Sequence, residues 1–164
     1  MALRVLLVAG WGTTANTLAW MAERLARHPD ALEECRRDAL DGDGRYLSAA
    51  VQETLRMRPP VPVIAADIER MHHRADVYPD PRSFRPERFL EQRPGTYTWI
   101  PFGGGIHRCI GAGFALTEAR LVRRTILRHL TFAAARGRGE ASSRRTLLTV
   151  PRDKATVTLL AAGG

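Results

Sequence analysis

The chain has 164 residues, 45% of them apolar, which suits one folded domain with a real core and argues against disorder. Its net charge of +8 comes almost entirely from arginine, since Lys154 is the only lysine. That balance suits an acidic protein partner, an anionic surface or nucleic acid, but no dense basic tract with interleaved aromatics occurs, so nucleic acid is not an expected partner.

No apolar run reaches about 18 residues, so no membrane span is expected. Leu3 to Ala9 is too short to span and lacks the small-residue cleavage site of a signal peptide. Cys35 and Cys109 make no disulfide framework, and the chain reads as cytoplasmic and reduced.

Met1 to His28 reads as a helix. Leu18, Met21, Ala22 and Leu25 repeat at three- and four-residue spacing, and His28 before Pro29 ends the pattern. Ala9-Gly10-Trp11-Gly12-Thr13-Thr14 interrupts it with residues that suggest close approach of something to the helix, or a kink. Pro29 to Ala39 is a second helix with proline in its first turn. Within it Cys35 reads as an ordinary free thiol.

Tyr46 to Met57 is a third helix, stopped by Pro59-Pro60, with Glu53 and Arg56 on one face. Asp67 to Arg70 suggests a helical turn, and Tyr78-Pro79-Asp80-Pro81 is turn chemistry. Gly111 to Leu130 is a helix with Phe114, Ala115, Leu121, Val122 and Ile126 as apolar positions. Arg136 to Gly139 is a basic linker. Thr146 to Val150 and Ala155 to Leu160 read as two strands of a small hairpin.

The densest feature is Phe102-Gly103-Gly104-Gly105-Ile106-His107-Arg108-Cys109-Ile110-Gly111. Glycines allow tight turns and close approach to a ligand. Backbone N–H groups and the positive end of the following helix would favour an anionic sulfur, which a soft metal centre needs. From the residues alone, a lone cysteine is more often a small buried hydrophobe than a ligand, and consecutive glycines more often a flexible loop than a cofactor cradle.

The order Phe-Gly-x-Gly-x-His-x-Cys-x-Gly resembles the haem-thiolate loop of the cytochrome P450 family, with Phe102, Gly103, Gly105, His107, Cys109 and Gly111 at the defining positions. The resemblance implies haem b as cofactor, Cys109 as the axial ligand of the haem iron, and His107 bonding a haem propionate. Ala9-Gly10-x-x-Thr13-Thr14 resembles the oxygen-binding stretch of the family's long helix, where Thr13 helps handle oxygen and protons. Gly12 departs from the pattern, standing where the family places the acidic residue of proton delivery. Glu53-x-x-Arg56 resembles the family's buried Glu-x-x-Arg pair, and Arg88 in Pro86-Glu87-Arg88-Phe89 resembles its second arginine. These three are implied to be structural.

The implied fold is mainly α, the C-terminal part of the family's domain, ending in a small β-hairpin. The whole of 1–164 would be one partial domain, with 1–135 as its helical haem-binding part and 136–164 as linker and hairpin. The implied reaction inserts one atom of O2 into a small apolar organic substrate, with electrons from a ferredoxin or flavin reductase. Segments upstream of Ala9 that the family normally carries are not in this sequence, and Ala65 to His72 is too short for the strands usually inserted there. A truncated monooxygenase is therefore expected, or else a remnant that binds haem weakly or not at all. Leu6, Leu7 and Trp11 would then be exposed.

Overall fold

The computed structural model describes residues 2–63, 66–135, 137 and 139–161, without the side chains of 2–8, 107 and 161. Helices α1 (Ala2–Arg27), α2 (Pro29–Leu40) and α3 (Arg45–Met57) come first. The short α4 (Ile68–His72) and α5 (Arg88–Glu91) follow, and then α6 (Ala112–His129). Four strands close the chain: β1 (Leu130–Ala134), β2 (Ser142–Arg145), β3 (Leu148–Pro151) and β4 (Val157–Ala161).

Local chemistry explains the boundaries. Pro29 opens α2, where its missing N–H costs nothing. The Asp38 carboxylate accepts from Gly44 N and Leu47 N, both at 2.8 Å, and so folds the α2–α3 turn and caps α3 from a distance. Gly44 sits there at φ +82°, a conformation that favours glycine. Asp67 caps α4 by accepting from Arg70 N at 2.9 Å; the expected helical turn at 67–70 forms one residue later. Ile64 and Ala65, before it, lie outside the described residues, as do Arg136 and Arg138 of the basic linker.

The core lies where α1, α2, α3 and α6 pack, with Met21, Leu25, Leu32, Cys35, Leu47, Val51, Leu55 and Leu127 at its centre. Met21 and Leu25 confirm the apolar face expected of α1. The Gly10–Thr14 stretch is helical throughout. Gly12 there carries β3 close by, since a Cβ on it would meet Leu148 Cδ1 at 3.7 Å. On α6 the buried positions are Ala112, Ala119, Arg123 and Leu127, while Phe114 and Leu121 are exposed.

The two strands expected to pair with each other do not. β3 pairs with β2 in a hairpin, Arg145 opposite Leu148, while β4 pairs antiparallel with β1, Leu130 opposite Ala161. The backbone supplies the reason. Thr146 takes a positive φ of 54° in the two-residue turn between β2 and β3. Lys154 and Ala155 are both left-handed, at 65° and 52°, which breaks the strand before Val157 and redirects it to β1. Residues 130–134 and 157–161 thereby tie the end of the chain to the helical part.

Candidate functional site: the cysteine loop and its buried support

The loop is anchored before it begins. Trp99 Nε1 donates to Gln52 O of α3 at 3.1 Å, and Tyr78 Oη donates to Thr98 O at 2.9 Å. Phe89, Trp99 and Phe102 stack edge to face, with successive centroids 6.1 Å apart. Ile100 N donates to His72 Nε2 at 2.9 Å.

From there the chain turns sharply. Gly103 (φ 71°) donates to Ile100 O at 3.0 Å, and Gly105 (φ 61°) opens a single 3-10 turn over Gly105–His107. Both glycines hold left-handed conformations that a side chain would strain. Cys109 N then donates to Phe102 O at 2.9 Å, which closes the loop, and Ala112 N donates to Cys109 O at 3.3 Å as α6 starts. Gly111 caps α6 without a side chain. The side chain of His107 lies outside those described.

The loop presents its thiol outward. Cys109 is exposed, and so are Ile106 (95%), Ile110 (84%) and Phe114 (70%) around it in sequence, with Trp11 (82%) on α1. A Cβ added to Gly10, Gly104, Gly105 or Gly113 would meet nothing within 4 Å. Cys109 thus stands exposed, with large exposed apolar residues near it in sequence and with glycines whose positions leave open space. Among the described residues no group of three or more His, Cys, Asp or Glu could hold a bare metal ion. Among the described residues Cys109 is a soft donor outside any such group, and its chemistry suits a metal whose other ligands come with its cofactor.

On α1, Thr13 Oγ1 reaches Ala9 O at 2.9 Å and Gly10 O at 3.2 Å, so its proton is tied to the helix backbone. Its lone pairs remain available as acceptors. Thr17 Oγ1 donates to Thr13 O at 2.9 Å.

Behind the loop, Glu53, Arg56 and Arg88 come together. The Glu53 carboxylate takes a two-pronged contact from Arg56, through Nε at 2.7 Å and Nη2 at 2.8 Å, and a third from Arg88 Nε at 3.1 Å. Arg85 N adds a fourth donor at 3.0 Å. Glu53 and Arg56 are fully buried, so the charges must satisfy one another. Arg56 Nη1 donates to His72 O at 2.7 Å, Arg88 Nη1 donates to Pro79 O at 3.2 Å, and the Arg56 guanidinium lies 5.1 Å from the Tyr78 ring centroid. The i,i+3 spacing was visible in sequence, and the structure shows the burial that the resemblance implied.

His72 is the residue that sequence reasoning missed. It is wholly buried, and its Nδ1 bonds Arg56 O at 3.0 Å while Nε2 accepts from Ile100 N. It therefore bolts the Glu53–Arg56 helix to the entry of the cysteine loop. Burial pushes its pKa down to about 4, reinforced by the Arg56 charge and opposed by the bond to the Arg56 carbonyl. Its sequence setting, beside His73 in a polar run, carried no signal of this.

Comparison with known proteins agrees with the geometry. The cytochrome P450 family model matches residues 1–66 and 63–159, two segments that meet at the short link before α4. Cytochrome P450 137 of Mycobacterium tuberculosis is 40% identical over 168 residues, which cover 90% of this chain and 35% of that protein. Cytochrome P450 138 of Mycobacterium bovis is 37% identical over 179 residues, covering 96% of this chain and 41% of that one. The chain thus spans less than half the length of these relatives. The solved structure of retinoic acid-bound cyanobacterial CYP120A1 superposes with a TM-score of 0.83 at 26% identity, over 96% of this chain and 44% of that one. Haem is the cofactor of this family, and the lone outward thiol with its open apolar surroundings fits it. Sequence, loop geometry and buried support agree: the chain belongs to the cytochrome P450 family.

Proposed function

We propose that this chain is the haem-thiolate part of a monooxygenase that inserts one atom of O2 into an apolar organic substrate, with electrons from a ferredoxin or flavin reductase. The observation that carries the reading is the exposed Cys109 at the end of a closed glycine loop, flanked by outward apolar residues. Haem bound there supplies the oxidising iron and the site of O2 activation.

In this reading Cys109 Sγ holds the iron, and the Phe102–Gly111 loop fixes its direction. His107 bonds a propionate, and Gly10, Gly103 and Gly105 leave the ring room. Ala9 and Gly10 form the helix wall on the side of Thr13, whose Oγ accepts or relays a proton. Glu53, Arg56 and Arg88 hold the loop's base in place without touching the reacting atoms. The helical part, 1–135, would carry the haem contacts, and 136–164 would brace them.

A second reading is favoured by one observation. Gly12 stands where the family has its acidic residue, so the carboxylate side of proton delivery is missing. That reading is a remnant that binds haem weakly or not at all. Reconstitution with haem, reduction and exposure to carbon monoxide test the first reading: the Soret band of a thiolate-ligated haem is expected, and it should vanish in Cys109→Ser. No such band, or one unchanged by that substitution, would defeat the ligand role of Cys109, and an absent band would favour the remnant. Reductase-driven substrate oxidation, present or absent in protein that shows the band, then decides between them.

A further inference from the structure

Residues 140–161 are held to the helices more by hydrogen bonds than by apolar packing. Among the described side chains, Ala155 is the one buried apolar residue of this segment, and Val157 packs on the core while only partly buried. Leu147, Leu159 and Leu160 are exposed. The core between α1, α2, α3 and α6 therefore loses little apolar burial if the segment leaves. Segments with few buried apolar contacts open locally, at a free energy below that of global unfolding.

Glu140 joins this segment both to itself and to α1. Its carboxylate accepts from Asp153 N at 2.8 Å through Oε1 and from Ala155 N at 3.1 Å through Oε2. It thereby ties the start of β2 to the turn between β3 and β4, beside the bond from Arg152 N to Ala141 O at 2.8 Å. That turn holds the left-handed Lys154 and Ala155, a conformation that costs a residue with a side chain. Two charge-assisted bonds from one carboxylate offset the cost. Glu140 N donates at 3.0 Å to Glu23 Oε1 on α1. Glu23 is buried and is fixed in turn by Arg24 and by Arg27, whose Nε lies 2.6 Å away. The β2–β3 hairpin, the start of β4 and α1 thus meet through one residue.

The same segment lies along α1 beside Thr13. Asn16 Nδ2 donates to Thr149 O, and Thr149 N donates to Pro60 O at 2.8 Å. A Cβ on Gly12 would meet Leu148 Cδ1 at 3.7 Å. Gly12 and Asn16 flank Thr13 in sequence, so β3 covers α1 within one turn of that hydroxyl. We propose that residues 140–161 form a strap with Glu140 as its catch. The strap opens from α1 as one unit while the helical core stays folded, and its opening uncovers α1 at Gly12 and Asn16. Haem has no part in the catch, so the device stands or falls apart from the ligand role of Cys109.

Native-state hydrogen exchange of the full chain, read by NMR at neutral pH, tests the strap. Corrected for intrinsic rates, the ladder amides of β2, β3 and β4 should share one opening equilibrium. They should exchange roughly tenfold or more faster than the slowest amides of α3. Glu140→Gln keeps the size of the side chain but can accept only one of the two N–H groups. It should speed all the strap amides together, by roughly tenfold or more. Val51→Ala, a cavity in the core of α3, should speed the α3 amides roughly tenfold and leave the strap amides where they were. Strap amides as slow as those of α3, or sped equally by Val51→Ala, would overturn the strap, because the segment would then open only when the whole chain unfolds. A Glu140→Gln effect confined to Asp153 and Ala155 would overturn the catch.

Discussion

Acidification should loosen the joint between α3 and the cysteine loop through His72. The ring is completely buried and makes two bonds, of which the one accepted from Ile100 N needs its neutral form. Ile100 N–H donates to Nε2, so the single ring proton sits on Nδ1 and is donated to Arg56 O. Burial is the main cause of a pKa near 4, against an ordinary 6.5. Because the folded value is the lower one, the unfolded chain takes up a proton first as pH falls. Stability is therefore full above 6.5 and declines down to about 4. The interval corresponds to about 3 kcal/mol at about 1.4 kcal/mol per pH unit, a large share of the about 5–15 kcal/mol that holds a typical domain. Urea unfolding of the parent chain and of His72→Gln across that pH range is the assay, since other titrating groups are common to both and cancel in the difference. The parent should lose about 3 kcal/mol relative to the variant between 6.5 and 4. A difference that stays constant with pH, or an NMR titration midpoint for His72 near 6.5, would refute the reasoning.

Glu53→Ala strands the buried Arg56 without its carboxylate and should cost about 3–5 kcal/mol, read as a fall in the urea midpoint; a loss under about 1 kcal/mol would contradict the burial of the pair. Gly10→Ala has open space for its methyl group and should stabilise the haem-free chain by up to about 1 kcal/mol, since α1 is continuous there. The same substitution should weaken haem binding in a spectroscopic titration, and equal affinity would remove Gly10 from the haem wall. Iodoacetamide followed by mass spectrometry should label the exposed Cys109 and spare Cys35, whose thiol is buried and has its pKa pushed up by that burial. Added haem should protect Cys109 from the reagent.

Much of the helical frame was legible in the residues because its signals are local. Pro29 and Pro59 punctuate the chain, and the three- and four-residue spacing around Met21 and Leu25 marks the buried face of α1. The cysteine loop was legible for the same reason: its glycines, histidine and cysteine must occupy fixed positions within ten consecutive residues. Strand pairing was not legible in that way. Strand propensity located 148–151 and 157–161 to within about two residues, yet propensity says nothing of partners, and two left-handed residues at 154 and 155 separated them.

The sequence by itself marked the candidates for chemistry: Cys109 after a glycine turn, the Glu-x-x-Arg spacing of Glu53 and Arg56 ahead of Pro59-Pro60, and Thr13 on a long helix. Only the tertiary structure decided what surrounds them. Burial turned Glu53 and Arg56 from an ordinary helix pair into a sealed network with Arg88, and turned His72 into the bolt beneath the loop. It left Cys109 and its apolar neighbours facing outward. The physical reason is that hydrogen bonds between distant residues, such as Ile100 to His72 or Thr149 to Pro60, depend on how helices pack and leave no periodic mark along the chain.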